Sequence, residues 1–148
     1  MQLTEHFSLE EMTFSQVAAR RGINNTPPPA QLANLTRTAQ AMEVVRSILA
    51  GKSVHVDSGY RSTLVNADVG GVSSSAHCKG LACDFVCPDF GTPYEIARAI
   101  LADGNCPDFD QLILEYGWVH LGLSEGKSRL QTLTKRSAYS SYEPGINA

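Results

Sequence analysis

From Ala30 to Ala50 the apolar residues Leu32, Leu35, Ala39, Met42, Val45 and Leu49 recur at intervals of three and four, and Gly51 follows the last of them. That spacing draws one stripe along one long helix, and the stripe must face a core. Ahead of it, Asn24-Asn25-Thr26-Pro27-Pro28-Pro29 predicts an extended linker, because each proline disfavours helical geometry in the residue before it. Earlier still, Ser8 and Glu11 form a capping box, with Phe7 and Met12 placed as a hydrophobic staple. A short helix therefore starts at Ser8. It either breaks or runs on through Val17-Ala18-Ala19, and should stop near Gly22.

The remaining elements are shorter. Val54 and Val56 alternate with His55 and Asp57 as a strand that leads into the turn-like Ser58-Gly59-Tyr60-Arg61-Ser62. Asn66 to Ser75, with Gly70-Gly71 and three serines, reads as a long loop. Leu81 to Val86 is a strand with Ala82, Asp84 and Val86 on one face. Thr92-Pro93-Tyr94-Glu95 opens a second good helix, with Ile96, Ile100 and Leu101 on its buried side. Strands are expected over Phe109–Tyr116 and Trp118–Leu121, joined by a turn at Gly117, and at the edge over Leu130–Thr134. The order predicts an α+β fold: a small, mainly antiparallel sheet packed by helices, forming one domain over 1–148 with an irregular tail from Ser137 to Ala148.

Composition narrows the function. A net charge of -3 without any block of lysine or arginine argues against nucleic acid as a partner. No apolar run approaches the length of a membrane span. Met1-Gln2-Leu3-Thr4-Glu5-His6 does not resemble a secretory signal, so synthesis in the cytoplasm is expected and export would need another agent. The cysteines Cys78, Cys83, Cys87 and Cys106 are spaced five, four and nineteen apart, unlike a paired metal motif, and are expected to be free thiols behaving as small hydrophobes.

The polar residues that stand out lie in two stretches. Ser75-Ala76-His77-Cys78-Lys79-Gly80-Leu81-Ala82-Cys83-Asp84 sets a histidine and a carboxylate seven residues apart, and Glu115-Tyr116-Gly117-Trp118-Val119-His120 adds a second histidine and a second carboxylate. A carboxylate in an apolar run needs an ion pair, hydrogen bonds or a metal. If the strands of Asp84 and His120 are neighbours and His77 arrives from the loop edge, two imidazoles and one carboxylate make a set suited to zinc. Glu115 would stand beside the metal as a base that takes the proton of activated water. Arg61 would supply a fixed charge for a substrate carboxylate or a developing oxyanion. Blander roles remain open from the residues alone: Asp84 in a salt bridge with Arg61, Glu115 with a lysine at the sheet edge, Trp118 as core or pocket wall, and Cys78 as a competing soft ligand.

The pattern Ser75-x-His77-x-x-Gly80-x-Ala82-x-Asp84, followed by Glu115-x-x-Trp118-x-His120, resembles the zinc D-alanyl-D-alanine peptidases of the M15 family, which share their fold with the hedgehog signalling domain. Ser58-Gly59-Tyr60-Arg61-Ser62 resembles that family's segment upstream of its first histidine. The resemblance implies one zinc ion on His77, Asp84 and His120, Glu115 as general base and acid, Arg61 orienting or polarising substrate, Ser75 bonding the substrate carboxylate or the site loop, and Trp118 against substrate. It implies a peptidoglycan or muropeptide substrate, cut as a D-Ala-D-Ala carboxypeptidase or, alternatively, as an L-Ala-D-Glu or crosslink endopeptidase. Small members of this kind resemble bacteriophage or prophage endolysins, delivered to the cell wall by a lysis system or a virion. A domain that keeps zinc but lacks turnover is the non-enzyme alternative. Gly122 stands where such relatives often place a small hydroxyl residue.

Overall fold

Local capping decides where the helices begin. The computed structural model describes residues 1–148. In it, Ser8 Oγ accepts from Glu11 N–H while Glu11 returns a bond to Ser8 N–H, opening α1 (Leu9–Thr13). The staple residues Phe7 and Met12 are both buried. The helix breaks at Phe14, and Ser15 caps a separate α2 (Gln16–Arg21) that ends at the left-handed Gly22. The expected stripe runs along α3 (Pro29–Ile48), where Leu35, Ala39, Met42 and Val45 are fully buried, while Leu32, one turn earlier, is only half-buried. Leu49, just past its end, closes the stripe.

Two compact units are present. The first comprises Met1–Glu43 and Ser58–Cys83. It carries a helix that the composition did not suggest: α4 (Thr63–Asp68), capped by Ser62 Oγ, occupies part of what reads as turn and loop. Its six residues, three of them apolar, are too few to show a period, so only the cap betrays it. A 3-10 turn (Ala76–Lys79) then ends at Gly80, whose φ of 76° is left-handed.

Gly80 is fixed by α3. Thr38, the one hydroxyl buried within the stripe, donates to Gly80 O at 2.7 Å, and Asn34 Nδ2 donates to Lys79 O at 2.9 Å. A Cβ on Gly80 would meet Gln31 O at 2.5 Å. Gly80→Ala therefore combines left-handed strain with a backbone collision, and should cost roughly 2–4 kcal/mol in urea unfolding. Gly22→Ala shares the positive φ but meets nothing within 4 Å, and should cost about 1 kcal/mol.

The second unit comprises Val44–Asp57 and Asp84–Ala148. Its helix α5 (Pro93–Ala102) begins with the expected Thr92–Glu95 capping box and buries Ile96, Ala97 and Ile100; Leu101 is exposed instead. The strands are β1 (His55–Ser58), β2 (Ala82–Val86), β3 (Gln111–Leu114), β4 (Val119–Gly122), β5 (Gln131–Thr134) and β6 (Glu143–Pro144). They form one sheet in the order β1-β2-β4-β3-β5-β6. β3 pairs antiparallel with β4 and β5 with β6, but β3 and β5 run parallel, so the α+β sheet is mixed where a mainly antiparallel one was expected. The hairpin logic that serves adjacent strands does not apply there, because sixteen residues separate β3 from β5 and include β4 (114 to 131). All four cysteines are free, Cys83 and Cys87 buried. No helix is long and apolar enough to cross a membrane.

Candidate metal centre

His77 sits in the 3-10 turn and is 3% exposed. Its backbone is held three ways: its N–H donates to Ser75 Oγ at 3.2 Å, and its carbonyl accepts from Arg61 N–H and Gly80 N–H. Its ring Nδ1 lies 2.7 Å from Gly59 O. A carbonyl only accepts, so Nδ1 carries the proton and Nε2 keeps the lone pair a metal requires.

The Gly59 carbonyl is in turn anchored from below. Tyr60 N–H donates to Met12 O, and Asn25 ties the segment together by donating to Thr13 O and Tyr60 O while accepting from Ser62 N–H. A Cβ on Gly59 would fall 2.2 Å from Met12 O, so only glycine permits this approach. The turn-like segment before the first histidine thus orients that histidine's ring.

Asp84 lies on β2 and His120 on its neighbour β4. Asp84 Oδ1 and His120 Nδ1 are 2.8 Å apart, with side chains 14% and 12% exposed. On the same strand face two residues along, a Cβ at Gly122 would come 3.1 Å from His120 Nε2. The missing side chain at 122 leaves space for the imidazole.

His77, Asp84 and His120 offer ligand atoms that all lie within 4.8 Å of one another. Two imidazoles and one carboxylate suit zinc, the tautomer of His77 is set by an acceptor, and three donors leave a coordination position open. The three residues can hold a metal ion. Glu115 is not one of these three residues.

Glu115 follows β3 and closes the turn into β4 with its N–H donating to Trp118 O at 3.0 Å. Its Oε2 accepts from Trp118 Nε1 at 3.0 Å. Burial raises its pKa, and the negative charge of Asp84 adds to this; His120, the Trp118 hydrogen bond and Lys135 pull the other way. The balance is a carboxyl with increased proton affinity. Trp118 is thus neither simple core nor bare wall: it orients Glu115, and its ring meets Tyr116 edge-on at 4.5 Å between centroids.

Arg61 is half-buried beside Cys78, whose thiol is pushed up by burial and drawn partly back by the guanidinium. Ser75 caps the turn that carries His77, its Oγ accepting from His77 N–H. His55 is exposed against Asp57 at 3.5 Å, away from any ligand role, and His6 bonds Glu43 at 2.8 Å. Sequence reasoning passed over Asp57, raised first by burial and also by Asp84, and Tyr142, raised first by burial and then by Glu115; the lysine it allowed opposite Glu115 is Lys135, which lowers the Glu115 pKa. Strand alternation marked Asp57 as outward, and no local signal places Lys135 or Tyr142 near Glu115.

Among curated proteins none matches the sequence. A family model described as Peptidase M15 matches residues 5–122, a span that holds all three converging residues together with Arg61, Ser75, Glu115 and Trp118. Matched over most of its length, and carrying a histidine–aspartate–histidine set able to hold a metal, the chain belongs to the peptidase M15 family.

Proposed function

We propose that the protein is a zinc metallopeptidase acting on the stem peptides of bacterial peptidoglycan, with D-alanyl-D-alanine carboxypeptidase activity as the leading reading. The observation that carries it is a spare, half-buried carboxylate, Glu115, oriented by Trp118 and electrostatically coupled to Asp84 and His120 of the metal set. A structural metal site has no use for such a group.

When bound, zinc supplies Lewis acidity, lowering the pKa of water and polarising a carbonyl. His77, Asp84 and His120 would hold it. Glu115 takes a proton at its carboxylate and returns it to the leaving amine, a task its raised proton affinity suits. Trp118 Nε1–H keeps that carboxylate in one orientation during both transfers. Arg61 offers a permanent charge for the substrate's terminal carboxylate, and Ser75 keeps His77 in register.

Incubating the zinc-loaded protein with muropeptides of defined stem length and weighing the products tests this directly. Loss of one alanine residue from a pentapeptide stem is expected. Cleavage inside the stem would move the assignment to an endopeptidase, and intact substrate would leave a metal-binding domain without turnover.

A further inference from the structure

We propose that Thr134 is a positioning residue for Glu115: its hydroxyl locks the C-terminal segment, which lies beyond the family match, onto β5 and so steadies the strand end that carries the proposed base. The inference rests on the peptidase reading of Glu115 and adds to it a part of the chain that no motif covers.

Glu115 is held from two directions. Within the turn, its N–H and its Oε2 are both bonded to Trp118. On the strand side, Leu114 immediately before it stands opposite Thr134 in the parallel pairing of β3 with β5, and Leu114 O accepts from Lys135 N–H at 2.8 Å. Leu114 with Thr134 is the last register position of that pairing. Parallel pairs are slightly less stable than antiparallel ones, and the end of a short strand opens first. The weak point of the pairing thus falls beside Glu115.

Thr134 closes it. The residue is 2% exposed, and its hydroxyl bonds run to the tail: Oγ1 donates to Gly145 O at 2.8 Å and accepts from Asn147 N–H at 3.0 Å. Gly145 N–H donates to Thr132 O, and Leu133 and Thr134 pair with Pro144 and Glu143 of β6. Lys135 Nζ donates to Ser140 O at 2.7 Å, and Arg136 Nε donates to Glu143 Oε2 at 2.9 Å. A tail that served stability alone would bury apolar surface, the larger source of folding free energy. Between Ser137 and Ala148 only Ile146 is buried. The tail instead gathers its hydrogen bonds at the end of β5, opposite the residue before Glu115.

The test compares three variants of the full-length, zinc-loaded protein on N-acetylmuramoyl-pentapeptide. Thr134→Val keeps the volume and loses the hydroxyl, Thr134→Ser keeps the hydroxyl, and Ser15→Ala removes the cap of α2 as a control for lost stability alone. Thr134→Val should lower kcat about tenfold with KM and zinc content within about twofold, because a displaced base slows the proton transfers without weakening binding. It should also shift the emission of Trp118, the single tryptophan, to the red as the turn loosens. Thr134→Ser should restore both readouts. Ser15→Ala should lower the unfolding temperature and move neither. Should Thr134→Val fail to fold, Asn147→Pro, which removes the N–H that Thr134 Oγ1 accepts, should lower kcat about threefold. An unchanged kcat in Thr134→Val, or a Thr134→Ser protein as slow as Thr134→Val, overturns the proposal and leaves the peptidase reading standing. A parent protein that cuts no bond of the muropeptide overturns the peptidase reading, and the role of Thr134 falls with it.

Discussion

Glu115→Gln protein should keep its fold and its zinc and lose roughly 10²–10⁴-fold in turnover on a muropeptide substrate. Glutamine has the size of glutamate and retains an oxygen to accept from Trp118 Nε1–H, so the turn between β3 and β4 has no reason to move. What disappears is the capacity to take and return a proton. Glu115 is not one of the three converging residues, so metal content measured on the same preparation should match the parent at about one equivalent. Turnover equal to the parent would refute the role of this carboxylate.

The same substitution carries a pH signature in metal-free protein. The folded-state pKa of Glu115 is raised, chiefly by burial. A raised carboxyl stabilises the fold fully below the ordinary glutamate pKa, and that stability is lost as pH rises through the folded value, because the folded state must then hold a poorly solvated charge. Thermal unfolding of the metal-free parent should therefore decline with pH across a window that starts near the ordinary glutamate value and extends above it. Glu115→Gln should lack that component of the decline and gain on the parent towards neutral pH. Parallel curves for the two proteins would show that burial at this position does not penalise the anion.

Removal of any one converging group should abolish stoichiometric zinc. His77→Ala, Asp84→Ala and His120→Ala each leave two donors where a stable site needs three. Zinc content should fall from about one equivalent to a small fraction after gel filtration, and added zinc should no longer raise the unfolding temperature, since that rise requires a ligand that binds the folded state. His120→Ala has a second effect. It strips Asp84 of a partner 2.8 Å away and leaves a carboxylate 14% exposed, so its metal-free form should also be less stable than that of His77→Ala. Full zinc occupancy in all three variants would place the metal elsewhere.

These residues were legible in the sequence because chemistry set them apart from their surroundings. Asp84 stands in an apolar strand, and a carboxylate there demands an explanation that periodicity alone does not supply. The caps at Ser8 and Thr92 and the stripe of α3 are equally local, each written within one or a few turns. α4 was hidden because six residues are too few to show a period. The parallel pairing of β3 with β5 and the return of the tail as β6 were hidden for another reason: pairing across intervening strands is chosen by the whole sheet. The consequence for the site was direct. The pairing of β5 carries Lys135 to the residue before Glu115, and the returning tail sets the Tyr142 ring against Lys135, neighbours that no local stretch of sequence announces.

β3 has a partner along each side, β4 on one and β5 on the other, and the bond from Lys135 N–H to Leu114 O carries the second row to the residue before Glu115. Glu115, the proposed base, is thus mounted at the end of an interior strand, in contrast to the catalytic groups that many enzymes carry on mobile loops. A carboxylate in water must rearrange its solvent each time its charge changes; one held by a neighbouring indole at the end of a doubly bonded strand has had its surrounding dipoles aligned beforehand. For Glu115 that rearrangement is completed once, when the sheet forms, and every turnover of the proposed reaction would start from it.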